Sequence, residues 1–230
     1  RQVSELLTAR TTLFAGVSHD LRTPLARMRL ALEIMKTDPS PALIERLERD
    51  IAQMNKLIGN VLELARGLEH ETLESTELSA FLAEIADDFT SPGAAISVDC
   101  QPGTVRIAPS AMRRAIGNLL QNAQRYAGGS PVHLVGIIER SGGRIGVLDS
   151  GPGIDADQIE SMFLPFHRSE ASRSPVTGGS GLGLTIVRAL ARANGWDVEL
   201  SARPEGGLQA WIRFSSADLS SRTHREPTAA

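Results

Sequence analysis

A histidine beside a carboxylate heads the residues whose types and spacing could do chemistry. It lies in Phe14-Ala15-Gly16-Val17-Ser18-His19-Asp20-Leu21-Arg22-Thr23-Pro24-Leu25. Phe14, Leu21, Met28 and Met35 recur at heptad spacing, with Val17, Leu25 and Leu32 on the intermediate turns. That pattern is the seam of a helix packed against partner helices. With Phe14 and Leu21 at heptad position a, His19 falls at f, facing away from the seam. Its imidazole therefore meets water, with Asp20 beside it and Thr23 one turn along on nearly the same face. Pro24 removes the helical donor of the Asp20 carbonyl and predicts a local bend. The pattern reads as a chemical handle that a rigid stem offers to another protein.

Three further stretches carry polar groups at chemical spacing. In Asn118-Leu119-Leu120-Gln121-Asn122-Ala123-Gln124-Arg125-Tyr126 two amides stand one turn apart on a helix whose other face is apolar. Stacked amides supply oxygen to a hard cation and N–H to phosphate, and Arg125 adds positive charge. Asp149-Ser150-Gly151-Pro152-Gly153 follows a strand and can present one carboxylate while the backbone approaches closely. Gly178-Gly179-Ser180-Gly181-Leu182-Gly183 precedes a helix, where free N–H groups can cradle phosphate. A dinucleotide fingerprint would need Gly where Leu184 or Ile186 stands, and the Gly-Lys-Ser/Thr of a Walker loop is absent.

The chain that must position these groups has 230 residues, 41% of them hydrophobic and only 4% aromatic, so its core is aliphatic. A net charge of -3 does not favour nucleic acid as a partner. A single cysteine, Cys100, excludes an internal disulfide framework and a cysteine zinc site. No apolar run reaches the ~18 residues of a membrane span, and no signal-peptide pattern is present. The chain starts at Arg1 without a Met, so membrane segments are expected outside it.

Residues 3–36 predict one helix, a rod of roughly 50 Å. Asp38-Pro39-Ser40-Pro41 is a turn. A second helix is expected from Ala42 to Arg66, with Ile44, Ile51 and Ile58 in one heptad register and Leu47, Met54 and Val61 in another. The stripes exceed what one hairpin can bury, which points to a dimeric four-helix bundle. Residues 68–76 read as a polar linker. A helix over Glu77 to Phe89, capped by a preceding Thr or Ser, opens the second domain. Short strands at 95–99 and 104–107 flank a Gln101-Pro102-Gly103 turn. A helix over 110–126, a hairpin about Ser141-Gly142-Gly143, a looser region at 155–183, a helix over 184–193 and two closing strands follow. Residues 215–230 are polar and aperiodic and read as a disordered tail. The strand–helix alternation is too irregular for βαβ winding, so a mixed, largely antiparallel sheet with helices on one face is expected.

In this order the motifs make the chain resemble the cytoplasmic core of a bacterial sensor histidine kinase, closest to the osmosensor type. Ser18 to Leu25 resembles the H box and Asn118 to Tyr126 the N box. Asp149 to Gly153 resembles the G1 box, Phe163-Leu164-Pro165-Phe166-His167-Arg168 the F box and Gly179 to Leu184 the G2 box. The resemblance spans roughly residues 5–214. It implies a hairpin for dimerisation and histidine phosphotransfer over 1–67 and an ATP-binding domain over 77–214. The latter would be an α/β sandwich of the histidine-kinase, gyrase and chaperone type.

The resemblance also implies roles. His19 would take the γ-phosphoryl group of ATP and pass it to an aspartate on the receiver domain of a response regulator. Asp20 would orient the ring and draw off its proton, and Thr23 would serve phosphatase activity on that regulator. Asn122 would bind Mg²⁺, with Asn118 beside it. Arg125 would contact phosphate, and Tyr126 would pack by the adenine or ribose. Asp149 would accept from the adenine amine, while Gly151 and Gly153 allow close approach. Gly179, Gly181 and Gly183 would wrap the triphosphate, and Arg168 would reach the γ-phosphate. Ser150, where the family more often has Asp or Asn, and the extra Gly178 depart from the pattern. Arg22, Arg27 and Arg29 lie where the regulator would be read. The resemblance places the chain in the cytoplasmic portion of an inner-membrane protein. Two other readings share the nucleotide-binding fold: an ATPase without phosphotransfer, and a dimeric scaffold that binds nucleotide only to change shape.

Overall fold

A computed structural model describes residues 21–66, 71–90, 95–167 and 181–215. Among these, 21–66, 160–167 and 181–186 fall in one compact unit, and 71–90, 95–159 and 187–215 in a second.

In the first unit, residues 21–35 are helical through Pro24 and form α1. Thr37 and Asp38 N–H groups close its end on the Ile34 carbonyl at 3.0 and 2.8 Å. Helix α2 spans Pro41–Arg66, starting at a proline whose missing N–H costs a first-turn position nothing. The seam follows Leu21, Pro24, Met28, Ala31 and Met35 on α1, with Pro24 and Ala31 buried. Leu47, Asp50, Met54 and Leu57 face inward on α2, Asp50 and Leu57 being buried. Leu25 and Leu32, grouped with the seam by heptad reading, sit off it at 50% and 52% exposure. Ile44, Ile51 and Ile58 form a second stripe at 50%, 50% and 44%. Arg27 is not free surface: its Nη2 pairs with the buried Asp50 Oδ1 at 2.6 Å.

In the second unit a strand takes up the last residues of the expected 68–76 linker. β1 (Glu74–Glu77) pairs antiparallel with β3 (Thr104–Ile107). Helix α3 (Leu78–Phe89) follows directly, and its cap is Glu77 rather than a Thr or Ser. The Glu77 carboxylate accepts from Ser79 N and Ala80 N, and also from Gly103 N at 3.0 Å. It thereby ties the helix start to the Gln101-Pro102-Gly103 turn, and the Ala80 N–H, then that of Gly103, holds its pKa below the usual glutamate value. The strands flanking that turn do not pair with each other. β2 (Ile96–Cys100) runs parallel to β4 (Val132–Glu139), while β3 joins β1.

Antiparallel pairing adds β5 (Gly142–Leu148), β7 (Leu208–Ser215) and β6 (Asp197–Ala202) to a five-stranded sheet ordered β2-β4-β5-β7-β6. One parallel pair among four makes it mixed and largely antiparallel, as the irregular alternation predicts. Leu134, Val147 and Ala210 share a register row and are all buried. α3 lies against β2 and β4, and helix α4 (Pro109–Tyr126) against α3 and β5. On the opposite face Trp211 lies over Gly146, where a Cβ would meet its ring at 2.6 Å, and Arg144 stacks on it at 5.0 Å. Helix α5 (Gly183–Asn194) belongs partly to each unit. Among the described residues no helix is long and apolar enough to cross a membrane.

Candidate functional site

Helix α4 is amphipathic because Ala111, Met112, Ala115, Ile116, Leu119, Leu120 and Ala123 recur on one face, and all are buried. Asn118, Asn122, Arg125 and Tyr126 are half-buried along its rim. Asn118 Nδ2 donates to the Arg114 carbonyl at 2.9 Å, which leaves its Oδ1 as an acceptor. The side chains of Asn122, Arg125 and Tyr126 have no hydrogen-bond or ion-pair partner among the described residues. Their polar atoms are open to solvent and so available to a ligand. Two amide oxygens one turn apart suit a hard cation that keeps water and phosphate as its other ligands.

The Asp149 loop comes to the C-terminal end of this helix. A Cβ on Gly151 would lie 2.6 Å from the Tyr126 carbonyl oxygen, so only glycine permits the approach. Asp149 is buried at 6% exposure. Its Oδ1 accepts from Gly151 N at 2.9 Å and Leu208 N at 3.1 Å. Oδ2 receives no donor among the described residues. One oxygen is thus held by backbone and the other remains for a ligand. Gly153 turns the chain at φ 76°, with the Gly207 carbonyl 3.2 Å from where its Cβ would be.

In the other unit, Phe166 takes the left-handed conformation, φ 62°, and its N–H donates to the Gly181 carbonyl at 3.0 Å. A Cβ on Gly181, itself at φ 65°, would meet the Phe166 Cα at 2.8 Å. Thr185 Oγ1 donates to the Phe163 carbonyl at 3.1 Å. The stretches on either side of residues 168–180 are therefore pinned together. Gly183 begins α5, whose first N–H groups have no intrahelical acceptor.

The structure thus brings Asn118, Asn122, Arg125, Tyr126, Asp149, Gly151 and Gly153 to one region of the second unit. Gly181 and Gly183 belong to the first, as does Thr23, exposed on α1. His19, Asp20, Arg168 and Gly179 lie outside the described residues.

Two contributors escape motif reading. Glu71, in the expected linker, caps α4 through Ser110 N at 3.0 Å and Ala111 N at 2.8 Å. The signal was partial: Ala108 at the N-cap supplies no side-chain acceptor, so the acceptor must come from elsewhere, but nothing local names it. Gly117 admits the Phe89 ring, whose Cζ would lie 2.9 Å from an added Cβ, and so sets the spacing of α3 and α4.

Comparison with known proteins agrees with this geometry. Residues 9–69 match the His Kinase A (phospho-acceptor) domain. Residues 107–218 match the Histidine kinase-, DNA gyrase B-, and HSP90-like ATPase family. Sensor histidine kinase GtrS of Pseudomonas aeruginosa is 34% identical over 222 residues, covering 95% of this chain and 44% of that protein. The Acinetobacter baumannii histidine kinase AdeS superposes with a TM-score of 0.72 at 18% identity, over 87% of this chain and 98% of that one. The histidine kinase domain of the Escherichia coli osmosensor EnvZ, solved by NMR, gives 0.50 at 27% identity, over 70% and 98%. The chain spans about half the length of the curated relatives it matches. With a phospho-acceptor domain followed by an ATPase-type domain, it belongs to the sensor histidine kinases.

Proposed function

We propose that this chain is the kinase core of a two-component sensor, in which His19 is phosphorylated by ATP and hands the group to a response regulator. The observation that carries the reading is the half-buried, unpartnered set Asn122, Arg125 and Tyr126 beside an Asp149 with one spare oxygen. When bound, ATP supplies the phosphoryl group and Mg²⁺ neutralises charge on its phosphates. Asn122 and the Asn118 Oδ1 offer the metal oxygen ligands. Arg125 faces phosphate charge, and Asp149 Oδ2 accepts the adenine amine. Gly179, Gly181 and Gly183 give backbone N–H groups to the triphosphate, with Arg168 at the γ-phosphate. The His19 imidazole forms the new N–P bond as the bond to the ADP oxygen breaks, and Asp20 takes the ring proton.

Domain roles follow: 1–67 for dimerisation and phosphotransfer, 77–214 for catalysis. The exposed Ile44, Ile51 and Ile58 of α2, with the exposed Leu25 and Leu32 of α1, support a homodimer closing a four-helix bundle. The receiver domain of a response regulator is the second partner, with Thr23 positioning water for its dephosphorylation. The whole protein is anchored by membrane segments outside this chain, with this core in the cytoplasm.

The test is transfer. Label on His19 should move to a receiver domain and leave an acid-labile, base-labile acyl phosphate there. Thr23→Ala should keep that transfer and lose dephosphorylation of the regulator. Retention of all label on the chain in the presence of every receiver domain tried would contradict the reading.

A further inference from the structure

The turn joining β6 to β7, residues 203–207, is absent from the five motifs. It closes on itself through Arg203 N to the Gly207 carbonyl and Gly206 N to the Arg203 carbonyl, both at 3.0 Å. It then folds against the end of β5 at Asp149. Asp149 N donates to the Leu208 carbonyl at 2.9 Å, and Leu208 N returns to Asp149 Oδ1 at 3.1 Å. A Cβ on Gly207 would stand 2.1 Å from the Asp149 carbonyl oxygen, so the two backbones meet with no room between them.

Arg203 completes the clasp. Its Nη1 donates to the Asp149 carbonyl oxygen at 2.7 Å, a short charge-assisted bond. Its side chain is 17% exposed, an uncommon burial for a guanidinium. Glu205 does not account for it, at 3.9 Å and 73% exposure. A largely buried charge spent on a neutral peptide carbonyl makes sense if holding that peptide matters.

We propose that Arg203 is a positioning residue for base recognition: it locks the Asp149 main chain so that Oδ2 is held for a purine carrying an exocyclic amine. The proposal rests on the reading of Asp149 as the acceptor of that amine. Without the clasp the β6–β7 turn loosens, the Leu208 N–H no longer holds Oδ1, and the carboxylate can turn away from an oxo-purine that it would otherwise repel. Selectivity for amino over oxo purine then falls, mostly through weaker binding of the amino purine.

The experiment measures Kd for ATP and for inosine triphosphate, which carries an oxygen in place of the amine, on the full chain with Mg²⁺. It compares wild type, Arg203→Met, Arg203→Lys and Asp149→Asn, each checked for cooperative thermal unfolding. Wild type should prefer ATP, and Arg203→Met should reduce the ATP-to-inosine preference about tenfold. Arg203→Lys, which keeps a charged donor, should retain most of it. Should Arg203→Met not fold, Arg203→Gln reads the same ratio. An unchanged ratio in a folded Arg203 variant, or equal weakening of both nucleotides, overturns the positioning role. If Asp149→Asn also leaves the ratio unchanged, the reading of Asp149 itself has failed; if only Arg203 is silent, that reading stands.

Discussion

Glu71 Oε2 accepts the backbone N–H of Ala111 at 2.8 Å, joining a residue between the two matched domains to the first turn of the helix that carries Asn118 and Asn122. The other oxygen takes Ser110 N at 3.0 Å. Glu71→Ala strips both acceptors from a helix whose N-cap residue, Ala108, has none to offer. The loss should be about 1 kcal/mol in denaturant unfolding, with faster amide exchange at Ser110 and Ala111. Glu71→Gln keeps an acceptor but loses the charge that favours a helix N-terminus, so it should cost less.

Arg27 and Asp50 give a second prediction. Asp50 is buried and its Oδ2 has no hydrogen-bond partner among the described residues, so this carboxylate is only half satisfied. Asp50→Ala removes the counter-charge of Arg27, whose side chain is 38% exposed, and should destabilise the hairpin by about 1 kcal/mol. The double change Arg27→Met with Asp50→Leu should recover most of that loss, since apolar side chains replace such pairs at little cost. Thermal unfolding of wild type and the two variants checks the order.

Glu77 predicts a pH dependence. The N–H groups of Ala80, Gly103 and Ser79 favour its ionised form, so its folded pKa lies below that of the unfolded chain. A depressed carboxyl stabilises the fold above the unfolded value and loses that contribution as pH falls through the folded one. Stability should therefore decline on acidification below about pH 4.5 more steeply in wild type than in Glu77→Gln. Unfolding midpoints measured across the acid range would show the two curves converging.

Asn122 separates function from fold. Its side chain has no partner among the described residues, so Asn122→Ala should shift the unfolding midpoint by no more than about 1 °C. Autophosphorylation should nevertheless fall about 100-fold, as expected when an oxygen ligand at the phosphates is lost. Loss of both activity and stability together would move Asn122 from the site into the core.

The seam of the hairpin and the one-face apolar stripe of α4 are legible in the sequence because each follows a local period, and the mixed sheet because strands and helices alternate irregularly. The polar rim of α4 and the Asp149 loop are legible because glycine and amide spacing reports backbone approach. What periodicity cannot carry is pairing between distant segments. β1 is four residues of Glu, Ser, Thr and Glu with no alternating apolar face, and it exists because β3 supplies its partner. The cap of α4 comes from Glu71 and the clasp on Asp149 from Arg203, across 39 and 54 residues. Heptad spacing alone groups Leu25 and Leu32 with the seam, because it does not say which of two partner surfaces each position meets.

His19 is expected to accept a phosphoryl group from ATP. The most direct measurement incubates wild type and His19→Gln with γ-labelled ATP and Mg²⁺ and tests the label for acid lability. Acid-labile, base-stable label on wild type and none on His19→Gln is the predicted result. A wild-type chain that binds ATP and takes no label, or equal label on both proteins, would contradict it and favour an ATPase or a nucleotide-binding scaffold.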